Sequence, residues 1–101
     1  MSRVVAYVPD LMDRSRLSAA ATDVTFVREP EALGEAARGA DVVVVDLTRP
    51  GVLAVVATID VRVVGFANHT ERELMESARA AGCETVLARS AFFSRIPDLL
   101  G

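Results

Sequence analysis

With 101 residues the chain has room for one hydrophobic core and not for two. Hydrophobic residues make up 51% and charged residues 25%, a globular composition that excludes a disordered chain. The net charge of −3 leaves no basic footprint for nucleic acid, and because all 11 basic residues are arginine, chemistry that needs a lysine amine is excluded.

In chain order, Val4 to Val8 is a short apolar run ended by Pro9 and predicts the first strand. No signal peptide precedes it, since Met1-Ser2-Arg3 leads directly into the strand pattern, so a cytoplasmic protein is expected. Asp10 to Ala21 predicts a helix with Leu11, Met12 and Leu17 as core candidates and Asp10 as its cap, because a carboxylate there accepts from free backbone amides. The β-branched run Val24 to Val27 predicts a strand, and Glu29-Pro30 opens a helix whose Leu33, Ala36, Ala37 and Ala40 form one stripe ended near Gly39.

The four valines Val42 to Val45 are too few for a free helix and too apolar for an edge, so they predict a central strand buried on both faces. Asp46 stands at its end, and Thr48-Arg49-Pro50-Gly51 turns the chain out of the sheet. Gly51 to Ile59 carries no charge, and it is far short of the ~20 residues of a membrane span. Val52, Val55, Val56 and Ile59 fit helical spacing, although their β-branching also suits a strand. A helix that is apolar all round needs a second burial surface, which makes these four residues candidates for docking a partner or a second copy. A piece tucked irregularly against the core is the other reading. Val61 to Phe66 is the fourth strand. Thr70 and Glu73 have capping-box spacing at the start of a helix that Gly82 ends. Thr85 to Ala88 is the fifth strand, and Ala91 to Leu100 a last helix broken near Pro97. The lone Cys83 has no partner for an internal disulfide and reads as a small buried hydrophobe.

Strands and helices thus alternate over residues 1–101. Right-handed crossovers then predict one doubly wound α/β domain with a five-stranded parallel sheet in the order 2-1-3-4-5. In such sheets ligands sit at the carboxyl ends of the strands. That rim gathers Asp10, Asp46, Asn68, His69 and Arg89. A simpler role is open for each: Asp46 as a cap or as the ion-pair partner of Arg49 or Arg89, Asp10 as a helix cap, and the lone His69 as a solvated loop residue.

At this point the chain resembles the receiver domain of two-component response regulators over nearly its whole length. Asp46-Leu47-Thr48-Arg49-Pro50-Gly51 is similar to that family's Asp-x-x-x-Pro-Gly, in which the aspartate accepts a phosphoryl group. Ala78 to Cys83, followed by Val86-Leu87, is similar to its run before the fifth strand. The resemblance also implies acidic residues at the end of the first strand that hold magnesium, a switch hydroxyl after the fourth strand and a lysine after the fifth. Here those positions fall on Val8 and Pro9, with Asp10 one step further, on Phe66 or Ala67, and on Arg89, with Ser90 where a proline usually follows. Phosphoryl transfer to a carboxylate needs a cation to neutralise developing charge, so this set implies a pseudo-receiver that works by protein contact without a cofactor. Two alternatives stay open. One is a phosphoacceptor at Asp46 with magnesium on Asp10 and Asp46. The other is a small-molecule site or minor enzyme built on the Asp46, His69 and Arg89 rim, which lacks a glycine-rich phosphate loop.

Overall fold

Alternation with period two along the inner strands decides where the layers go. In the computed structural model, which describes residues 2–100, five parallel strands pair in the order β2-β1-β3-β4-β5. They are β1 (Val4–Tyr7), β2 (Val24–Phe26), β3 (Val42–Asp46), β4 (Arg62–Ala67) and β5 (Thr85–Ala88). Val4 to Tyr7 align with Val42 to Val45, and Val42 to Asp46 with Arg62 to Phe66. On β3, Val43 and Val45 point into one core and Val42 and Val44 into the other, and all four are buried. This is the strand buried on both faces that the valine run predicts.

The helices divide between the two faces. α2 (Leu33–Ala36), entered through a 3₁₀ turn Pro30–Ala32, packs with α3 (Val52–Val56) and α4 (Arg72–Ala80) on the side of Val43 and Val45. On the other side α1 (Leu11–Ala20), α5 (Arg89–Ser94) and α6 (Ile96–Leu100) bury Leu17, Phe92, Phe93, Ile96 and Leu99 against Val42, Val44 and Phe66. Among the described residues no helix is long and apolar enough to cross a membrane.

Two glycines shape the route to the rim. A Cβ on Gly65, in the middle of β4, would lie 2.8 Å from Leu47 Cδ1 and Cγ and 3.0 Å from Cys83 Sγ, so a side chain there is excluded by packing. Gly82 follows α4 with φ +109°, and Cys83 N–H reaches back to the Ala78 carbonyl at 3.0 Å, which closes the helix.

Four local expectations are corrected. Leu11 and Met12 are not core residues: they are 73% and 77% exposed, and Asp13 with Leu17 forms the buried face of α1. The capping box at Thr70 and Glu73 does not form, because α4 starts at Arg72 behind Glu71. The turn before it is closed instead by Glu71 N–H to the Asn68 carbonyl at 2.9 Å and by Asn68 N–H to the Glu71 carboxylate at 3.2 Å. Between Gly51 and Ile59 only Val52–Val56 is helical; Val52 and Val56 are buried, with Val55 and Ile59 packed half-buried beside them. The large residues of that segment are therefore spent on the core, and its exposed positions are Gly51, Ala54, Ala57 and Thr58. The last helix begins at Arg89, directly after β5, and breaks at Arg95 rather than at Pro97, which falls in the first turn of α6 where proline needs no N–H partner.

Candidate functional site

β3 delivers Asp46 to the carboxyl end of the sheet, opposite Phe66 of β4. The chain makes one more ladder bond, Leu47 N–H to the Phe66 carbonyl at 2.9 Å, before it turns away. Asp46 is 2% exposed, and both its oxygens are engaged. Oδ1 accepts from Thr48 N–H at 3.0 Å and from Thr48 Oγ1–H at 2.6 Å. Oδ2 faces Arg49 Nε at 3.4 Å. The aspartate thus organises its own loop, an arrangement that aspartate adopts readily because its side chain reaches the amide two residues on.

Arg89 does not pair with Asp46. Its Nη2 bridges both oxygens of Asp13 at 2.6 Å each, a charge-assisted contact between the first turn of α1 and the first residue of α5. The Arg89 guanidinium lies 5.2 Å from the Phe66 ring centroid and 5.7 Å from that of Phe93. Those rings and Phe92 form a cluster with centroids 5.0 to 5.3 Å apart. The hydrogen bond that Arg89 donates to Asp13 raises the pKa of Arg89 above its ordinary value, burial opposes this, and the charges of Asp13, Asp46 and Asp10 add to it. Asp10 caps α1 as expected, accepting from Asp13 N–H at 3.0 Å.

The five sequence candidates are therefore brought together only in part. Asp10, Asp46 and Arg89 share one polar patch with Asp13. Asn68 and His69 lie exposed in the β4–α4 turn, and the Asn68 backbone serves that turn. Asp13 and Thr48 are the two residues the sequence reading missed. Thr48 was detectable from Asp-x-Thr spacing, whereas nothing local marks Asp13, whose partner lies 76 residues away.

The donor set does not fit a divalent cation. One oxygen of Asp46 is filled by Thr48 donors, the other faces a guanidinium, and Asp13 is neutralised by Arg89. The end of β1 offers the apolar Val8 and Pro9, and no cluster of three or more acidic, histidine or cysteine groups able to hold a metal occurs among the described residues. Cys83, on the far side of Gly65, is also unsuited to chemistry. Burial pushes its thiol up to about 11, against hydrogen bonds that pull it down, so it stays protonated at neutral pH.

Solved receiver domains superpose on this doubly wound parallel sheet, which carries an aspartate at the end of its central strand and a cationic residue after the fifth. A response regulator from Hahella chejuensis does so with TM-score 0.84 at 16% identity, covering 99% of this chain and 92% of that one. The signal receiver domain of NarL from Mycobacterium tuberculosis gives 0.80 at 20% identity, covering 97% and 91%. The Mn(2+)-bound form of response regulator Rcp1 gives 0.78 at 11% identity, covering 98% and 91%. No protein-family model matches the chain, and no curated protein matches it in sequence. At these identities the likeness establishes the receiver fold and nothing finer.

Proposed function

We propose that the protein is a receiver-like signalling module that is not phosphorylated at Asp46 in the usual way and acts by contact with another protein. The observation that carries this reading is the closed state of Asp46, a buried carboxylate whose oxygens are taken by Thr48 and Arg49 of the turn that follows. A phosphoryl donor would have to displace both partners and would find no cation to neutralise the incoming charge. Rcp1 has a Mn(2+)-bound form, but here Asp46 faces Arg49, Asp13 is paired with Arg89, and Asp10 caps α1.

The contact surface that fits best is the exposed side of α1 rather than the buried α3. Leu11 and Met12 are the exposed large hydrophobic residues among the described chain, and Arg14 and Arg16 flank them. Neither arginine has a carboxylate partner among the described residues. Arg14 stacks over Phe26 at 4.7 Å and Arg16 over Phe93 at 4.2 Å. In a chain of net charge −3 this local cationic, apolar face is complementary to a partner segment with acidic and apolar side chains.

The test is incubation with acetyl phosphate and magnesium, followed by intact-mass measurement. The mass is expected to stay unchanged. An adduct of one phosphoryl group that disappears in Asp46→Asn overturns the reading and restores the phosphoacceptor alternative.

A further inference from the structure

The first turn of α1 is set in an unusual way. It turns a carboxylate inward and leaves two large apolar side chains in water. We propose that the Asp13–Arg89 ion pair is a positioning pair, which fixes the orientation of this first turn and so presents Leu11 and Met12 to the acidic, apolar partner. The inference rests on the contact-module reading above.

Successive residues of a helix are separated by about 100°, so with Asp13 inward, Met12 and Leu11 point about 100° and 200° away from the core. Burial of either would be favourable, and nothing in their own chemistry keeps them outside. What opposes it is Asp13. Asp13 is 3% exposed, and its carboxylate holds both Nη2 contacts at 2.6 Å and is approached by no other described cation. Arg89 cannot follow Asp13 outward without losing its own seat. It is the first residue of α5, and its guanidinium lies against Phe66 and Phe93. The lower end of α1 is anchored separately by Leu17, which is fully buried, so the pair governs the first turn and not the whole helix. Without Arg89, Asp13 would be a buried charge with no partner and would turn to water. The first turn would then re-form with Met12 packed down.

The experiment reads Met12 directly. The chain has three methionines, so methyl-labelled protein gives a simple spectrum, and a soluble paramagnetic agent reports how open each methyl is. In the wild type, Met12 is expected to relax strongly and the half-buried Met75 weakly. In Arg89→Leu the enhancement at Met12 is expected to fall by about threefold as the side chain turns inward. Arg89→Lys, which restores the charge, should return it to near the wild-type level. Val64→Ala, a truncation in the same core that leaves both partners of the pair in place, should lower global stability and leave Met12 open. An unchanged Met12 in folded Arg89→Leu overturns the proposal, as does an equal drop in Val64→Ala. If Arg89→Leu does not fold, the isosteric Asp13→Asn carries the test with a smaller drop, and no drop there overturns it. Failure of the contact-module reading would show as a phosphoryl adduct on Asp46 and would leave these relaxation rates unmoved.

Discussion

Replacing Asp46 by asparagine separates a closed structural loop from a carboxylate held ready for a cation. In an acidic cluster, like charges repel, and removing one of them stabilises the folded state. Here Asp46 has donors and a cation around it, so the same change should destabilise. Asparagine keeps an oxygen for Thr48 but loses the charge that shortens the Oγ1 contact to 2.6 Å. A hydrogen bond to a charged group contributes about 1.5–3 kcal/mol and a neutral one about 1 kcal/mol, so the loss at Thr48 is about 1 kcal/mol. The Arg49 contact is 3.4 Å long and the Arg49 side chain is 40% exposed, so it adds less than about 1 kcal/mol. Asp46→Asn is therefore expected to cost about 1 kcal/mol. Asp46→Ala, which empties the loop, should cost about 2–3 kcal/mol, limited because exposed Thr48 can turn to water. Urea unfolding of the three proteins at one pH, with the slope checked for constancy, measures both differences. A higher midpoint for Asp46→Asn than for the wild type would refute the reasoning, because it would reveal carboxylate repulsion at the rim.

Gly65→Ala should destabilise by about 1–3 kcal/mol, since its Cβ would meet Leu47 and Cys83 at 2.8 and 3.0 Å. Combining it with Leu47→Ala should cost less than the sum of the single changes, and strict additivity in the double-mutant cycle would refute the close approach. The Cys83 thiol, raised from its ordinary 9.0 to about 11, gives a pH dependence of known sign. Between those values the unfolded chain releases a proton that the folded chain keeps, so stability should fall as pH rises from 9 to 11, by about 2–3 kcal/mol at most. Urea midpoints across that window should be flatter in Cys83→Ala. Finally, Met12→Asp should leave the urea midpoint within about 0.5 kcal/mol of wild type. Val56→Asp should unfold the protein, because Val56 is 1% exposed and Met12 is 77% exposed. Circular dichroism distinguishes the two, and a folded Val56→Asp would return α3 to consideration as a docking face.

The sheet was readable because its signals are local. Four valines in a row, bounded by Asp41 and Asp46, can hardly be anything but an inner strand, and the alternation of elements then makes the sheet parallel and covered on both faces. Asp46 at the rim followed from the same run. The orientation of α1 was not readable. Leu11, Met12 and Leu17 look like an apolar face, and only a partner 76 residues away turns Asp13 inward in their place. Thr70 and Glu73 had suitable spacing for a cap, but the Asn68–Glu71 turn closed first and moved the helix start to Arg72. The α3 segment misled for a related reason. Its lack of charge suggested an outward apolar face, whereas the helix is only one and a half turns long, and small Ala54 and Ala57 are enough to cover its outer side.

Because Val42 and Val44 belong to one core while Val43 and Val45 belong to the other, neither layer of helices can be completed before the other has begun. β1 and β3 align only after some 38 residues of intervening chain have been looped out, and β4 then has to join on the opposite edge of β3. Assembly should therefore be a single slow, all-or-none event in which the valine strand acts as a shared seam. A fragment ending before β4 would leave that strand with a bare hydrogen-bonding edge, and such a fragment should self-associate rather than persist as a half-built monomer.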